Sequence, residues 1–178
     1  MSVILTSKGN YFDFANAEFY DYDIEEIAHA LSHLCRFTGH TRKHYSVAQH
    51  SVHVANLVPT GYQLEALLHD ASEAYLGDVS SPLKALLPDY KRIEQSVEYG
   101  IARHFALAYP QTPCIKEADL RMLVTEKRDL MPHIQYDSVC WPSHKPAPFK
   151  VVPWTAEKAK REFLVMYEQY LYERLSRQ

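Results

Sequence analysis

Cysteine, glycine and long apolar runs are all scarce in this chain. Its three cysteines, Cys35, Cys114 and Cys140, lie far apart in 178 residues, and no CxxC pair exists. An odd number cannot complete a disulfide framework, and this usage suits a reducing compartment such as the cytosol. Glycine occurs five times, and no repeat or low-complexity tract is visible, which excludes collagen-like and disordered classes. No apolar stretch approaches the ~20 residues of a membrane span. The opening MSVILTSKGNYF has no basic region and a three-residue apolar run, so it does not read as a signal peptide. An excess of one charge is missing too, because 19 basic and 22 acidic side chains leave a net charge of −3. That balance argues against broad electrostatic binding to duplex nucleic acid or an anionic membrane.

What is present is an ordinary globular composition, 47% hydrophobic and 23% charged, in a length that reads as one domain over residues 1–178. Val3–Thr6 and Tyr11–Phe14, joined across Ser7-Lys8-Gly9-Asn10, predict a short hairpin. Helical periodicity follows. Asp23 is an N-cap with Glu26 three residues on, ahead of the stripe Ile24, Ile27, Leu31 and Leu34. Further helices are expected over about 46–57, 62–75, 83–87, 89–109 and 115–130, and a last one is capped by Thr155. The result is a mainly α domain of six or seven helices with an N-terminal hairpin. Between residues 132 and 154 lie five prolines and two tryptophans, a long loop of the kind that often serves as a lid. Aromatics near 163–172 could face a partner subunit or the core.

The unusual number is ten histidines. Imidazole ligates metals and moves protons near neutral pH. The densest chemistry is HDASEAYLGD, residues 69–78, in which His69 and Asp70 follow an apolar run, Glu73 lies one turn on, and Asp78 follows the Gly77 break. Three carboxylates and an imidazole within ten residues repel one another unless a cation or basic groups answer them. Upstream, VAQHSVHVA places His50 and His53 on a helix, and either could point into the core beside His69. His40 and His44 sit in a basic stretch and read as phosphate or surface residues. Downstream, Asp119 stands inside an apolar helix, where a carboxylate is costly unless paired or bound to a metal. Two histidines and two carboxylates give mixed N/O ligation with room for water, the pattern of a catalytic site rather than a closed structural zinc site.

His50, His69-Asp70 and Asp119 together resemble the H…HD…D signature of the HD-domain metal phosphohydrolases. The run HDASEAYLGDVSSPLK is similar to that of small bacterial 5′-deoxynucleotidases and of phage deoxynucleoside-triphosphate triphosphohydrolases. LCRFTGH, VAQHSVHVA and IKEAD extend the likeness over roughly residues 2–130. The resemblance implies an HD-domain helical bundle in which His50, His69, Asp70 and Asp119 hold a divalent transition metal, zinc, cobalt or manganese. A second ion, magnesium, is a further expectation at the phosphates. It implies that Glu73 works on the attacking water or the leaving oxygen and that Asp78 lines the sugar and orients the leaving group. Arg36 would contact phosphate, Phe37 would stand near the sugar, and Lys84 and Lys116 would reach the phosphate chain, Lys84 from the start of a short helix.

The expected activity is hydrolysis of a 2′-deoxynucleotide, with triphosphate released from a dNTP first and phosphate released from a dNMP as the alternative. A non-catalytic nucleotide-binding role and hydrolysis of cyclic nucleotides or ppGpp are weaker readings. The implied setting is the cytoplasm of a bacterial or phage-infected cell. The implied partners are a small deoxynucleotide and further copies of the chain, as a dimer or hexamer.

Overall fold

The computed structural model describes residues 2–134 and 141–177. The chain is mainly helical, with one small antiparallel hairpin at its start. Strands β1 (Val3–Leu5) and β2 (Tyr11–Asp13) pair in the register Val3↔Asp13, Ile4↔Phe12 and Leu5↔Tyr11. The period of two along β2 buries Phe12 completely and leaves Tyr11 exposed. Phe12 stacks on Tyr75, meets Phe14 and Tyr20 edge-on and lies tilted against Tyr22. Burying such a ring is worth roughly 1.5–3 kcal/mol.

Helix α1 (Ile24–His33) starts where the sequence predicts, with the Asp23 carboxylate accepting from the backbone N–H groups of Glu25 and Glu26. Glu26 does not close a capping box. It is buried and accepts hydrogen bonds from Thr6 Oγ1, Asn10 Nδ2 and Tyr20 Oη, which ties the hairpin to the helices. Helix α2 (Val47–Ala55) is central and packs on α1, α3 (Gln63–Leu67), α7 (Pro113–Leu130) and α8 (Ala156–Leu175).

The single helix expected over 62–75 is two short ones. Between α3 and α4 (Glu73–Leu76) the chain tightens into turns, with Ala71 N–H bonding Leu68 O at 3.1 Å and Glu73 N–H bonding Asp70 O at 3.0 Å. Those i→i−3 bonds turn the His69-Asp70 pair away from regular helical spacing. Gly77 ends α4 at φ +80° and ψ 158°, a conformation open essentially to glycine alone. Helix α5 (Ser81–Lys84) is one turn long, and α6 (Pro88–His104) crosses beside it. At Gly100 a Cβ would come within 2.8 Å of Ala17 O, so this glycine lets α6 approach the Phe14–Phe19 turn.

Helix α8 begins at Thr155, whose hydroxyl accepts from Lys158 N–H, as expected. Of its aromatics, Phe163 and Tyr170 are core residues and Tyr172 faces outward. In the proline-rich segment, residues 135–140, with Cys140, lie outside the described residues. From Ala147 onward the segment is a fixed strap. Thr125 Oγ1 accepts from Ala147 N–H, Asp129 Oδ2 from Val151 N–H, and Arg128 donates to the carbonyls of Ala147 and Phe149. The wholly buried Gln49 donates to Val152 O and accepts from Trp154 N–H. No helix among the described residues is long and apolar enough to cross a membrane.

Candidate metal centre

Three elements bring the ligand-type residues together. Ser46 caps α2 by accepting from Gln49 N–H, and one turn into the helix His50 points inward, wholly buried. The tightened turn after α3 carries His69 and Asp70. Helix α7 carries Asp119, and its start is fixed to the same turn: Glu65 accepts from both Thr112 N–H and Thr112 Oγ1, and Gln111 Nε2 donates to His69 O.

His50, His69 and Asp119 each offer a ligand atom, and these atoms lie within 4.8 Å of one another. His50 Nε2 is 3.3 Å from Asp119 Oδ1 and 3.6 Å from Asp70 Oδ2, and His69 Nε2 is 3.1 Å from Asp70 Oδ2. Both Nε2 atoms are buried without a hydrogen-bond partner. Each Nδ1 is engaged, that of His69 with Ala66 O at 2.8 Å and that of His50 with Glu126 Oε1 at 2.6 Å. A carbonyl and an ionised carboxylate only accept, so each Nδ1 carries the proton. Orphaned imidazole nitrogens facing two carboxylates, with their tautomers fixed from behind, fit a divalent transition metal.

The charges divide in the same way. Burial works against ionisation of Asp70 and Asp119, but His69 beside Asp70 and His50 beside Asp119 hold both far below the usual carboxylate range. Burial and Arg36 oppose charge on His50, yet Glu126 and Asp119 outweigh them and raise its pKa to about 9. Glu73 is also buried, and burial, with Asp70 and Asp78 nearby, pushes its carboxyl well above the ordinary value. Its Oε2 has no hydrogen-bond partner. Asp78 is raised too, by burial ahead of Asp70. Burial and neighbouring charges thus push carboxylates of one site in opposite directions.

The remaining expected residues fall in two groups. Arg36 reaches the centre, with Nη1 3.5 Å from Asp70 Oδ2 and Nε 3.3 Å from Glu126 Oε2. Phe37 follows it at φ 54°, and its ring lies 5.9 Å from the Arg36 guanidinium carbon. Lys84 and Lys116 are near the centre but already partnered. Lys84 is the last residue of α5 rather than its first, and it bonds Glu94. Lys116 Nζ bonds Asp119 Oδ2 at 2.8 Å. His53 turns to Gln49, Phe149 and Trp154 instead of the centre, and burial lowers its pKa to about 4. His40 is exposed, and the exposed His44 bonds Cys35 Sγ and Ser32 O.

Glu126 is the residue that sequence reasoning passed over. It is wholly buried on α7, seven residues after Asp119. Two helical turns cover about seven residues, so the two carboxylates share a face. That spacing is its one sequence signal. Tyr45 Oη also donates to its Oε1, at 2.8 Å.

No family model matches the chain. Over 108 residues, 55% of each protein, it is 35% identical to an uncharacterized protein of Rhodobacter capsulatus. It is 47% identical over 130 residues, 73% of each protein, to the uncharacterized protein YfdR of Escherichia coli. Identity of that level over most of both proteins shows common descent, and the chain belongs to the family of YfdR.

Proposed function

We propose that this protein is an HD-domain, metal-dependent phosphohydrolase of 2′-deoxynucleotides that releases triphosphate from a dNTP. The observation that carries the reading is the pair of buried, unpartnered Nε2 atoms of His50 and His69 converging with Asp70 and Asp119 beside the buried Glu73. His50, His69, Asp70 and Asp119 would hold zinc, cobalt or manganese. A divalent ion polarises a phosphoryl oxygen and makes water more acidic. Arg36 orients a non-bridging phosphate oxygen and offsets its charge. Glu73 delivers a proton to the 5′-oxygen as the bond from that oxygen to the α-phosphorus breaks and a water oxygen bonds to the phosphorus, and the proton lost by that water restores Glu73. Asp78 accepts from a sugar hydroxyl. The deoxynucleotide class rests on the likeness of HDASEAYLGDVSSPLK to deoxynucleotide hydrolases.

The same bond breaks in a dNMP, so one set of groups serves both substrates. What differs is the answer to the distal phosphates. Lys116 is exposed, and an exposed ion pair exchanges partners at little cost. Lys84, held by Glu94, favours the second reading, a 5′-deoxynucleotidase. The decisive experiment incubates metal-loaded protein with each dNTP and dNMP and separates triphosphate from orthophosphate. Triphosphate supports the first reading and orthophosphate from dNMP the second. Neither product from any deoxynucleotide overturns both.

A further inference from the structure

The Glu126 carboxylate has two oxygens with different duties. Oε1 accepts from His50 Nδ1 and Tyr45 Oη, and Oε2 faces Arg36 Nε at 3.3 Å as an ion pair without a hydrogen bond. Arg36 is the group that could disable the centre. Its side chain is 11% exposed, and its Nη1 already donates a long hydrogen bond, 3.5 Å, to Asp70 Oδ2, the oxygen shared with both histidines. A guanidinium paired fully with Asp70 would neutralise that carboxylate and occupy its lone pairs. Buried cations seek the nearest carboxylate because an unpaired buried charge is very costly. We propose that Glu126 is a positioning residue that limits Arg36 to this one long bond with Asp70, keeping Asp70 available to the ion while Arg36 stays aimed at the phosphate. This rests on the metal-centre reading above. It adds that the cation next to the centre competes with the metal unless a second buried carboxylate restrains it.

The substitution Glu126→Gln tests this without disturbing His50. His50 and Tyr45 are both donors, so the amide oxygen takes the Oε1 position and the amide nitrogen faces Arg36. The restraint on Arg36 is lost and the His50 tautomer is kept. Loss of a buried residue that supports a metal ligand typically costs about 10–100-fold in metal affinity. Zinc binding by competition with a chromophoric chelator should weaken by that factor in Glu126→Gln. It should recover most of the loss in Glu126→Gln/Arg36→Gln, where the competing cation is gone. Glu126→Leu, which removes the acceptor for His50, should lose affinity whether or not Arg36 is present. A role confined to orienting His50 would give no rescue by Arg36→Gln, and that result overturns the proposal, as does unchanged zinc affinity in Glu126→Gln. If Glu126→Gln fails to fold, the double variant removes both partners of the pair and Arg36→Gln alone removes the competitor. Zinc affinity in either of these far below wild type overturns the proposal equally. Wild-type protein that binds neither zinc nor manganese removes the metal reading and this inference with it. Metal binding and rescue without hydrolysis would remove the functional reading alone.

Discussion

The ammonium of Lys84 is hydrogen-bonded to the Glu94 carboxylate, and the same Nζ lies 3.8 Å from Oε1 of Glu73. Lys84 therefore joins α5 to α6 beside Glu73 rather than standing free at a helix N-terminus. Lys84→Met should depress dNTP and dNMP turnover alike, because it alters the surroundings of Glu73. Lys116→Met should depress dNTP turnover more, by about 1–3 kcal/mol for a charge-assisted contact. Steady-state kinetics on both substrates checks this; the reverse pattern would exchange the two roles.

Removing a ligand-type residue should empty the centre. Asp119→Asn and His69→Ala should each lose bound transition metal, read by elemental analysis of purified protein, together with activity. Full metal content in both variants would place the ion elsewhere. Because the raised pKa of His50 means that a proton leaves when an ion binds, zinc affinity should rise steeply from pH 6 to pH 9, since metal and proton compete for imidazole.

Glu73 should separate from the ligands. Its carboxyl makes no close contact with either histidine, and Glu73→Gln should keep the metal while losing roughly 10²–10⁴-fold in rate. Parallel loss of metal would make Glu73 a ligand instead.

Glu98 gives a pH test in the cavity that borders His69. It lines this cavity of about 370 Å³ with Leu68, Ser72 and Tyr109. Burial, with Glu94 beside it, raises its pKa to about 7. Between the ordinary value of 4.5 and 7 the folded chain holds this proton more tightly than the unfolded chain. Stability from Glu98 is therefore lost as pH rises through that window. Glu98→Gln should raise Tm relative to wild type at pH 8 and leave it nearly unchanged at pH 4.5, measured by scanning calorimetry. An equal shift at both pH values would assign the effect to packing.

Gln49 should matter for stability. It is wholly buried, and its amide holds both Val152 O and Trp154 N–H. Gln49→Ala removes both half-buried hydrogen bonds to the strap and should cost about 1–3 kcal/mol, at about 0.5–1.5 for each bond lost. Urea denaturation would measure it, and a loss below 0.5 kcal/mol would show that water replaces the amide.

Residues whose neighbours lie close in sequence were the legible ones. Asp23, Thr155 and the hairpin obey local rules, and the structure keeps them. His50, His69, Asp70 and Asp119 were legible as a spaced set of ligand types. The break at 68–72 was not, because Leu67, Leu68, Ala71 and Ala74 continue a helical pattern and the turn is fixed by Gln111 and Ala66 contacts. The engagement of Lys84 by Glu94 and the burial of Glu126 also escaped, since both depend on which helix faces which. A glutamate among Thr125, Lys127 and Arg128 looks like surface until α2 is placed against it.

Asp119 and Glu126 lie on one rigid helix, seven residues apart. One residue inserted or deleted between them would rotate the second carboxylate by about 100° about the axis of α7. Either Asp119 would leave the histidines or Glu126 would leave Arg36 and His50. The exposed stretch Pro59–Tyr62 between α2 and α3 carries no such phase relation, and lengthening it costs little, because loop entropy grows slowly with length. Length variation among functional relatives should therefore gather in such connections and spare the seven-residue interval on α7.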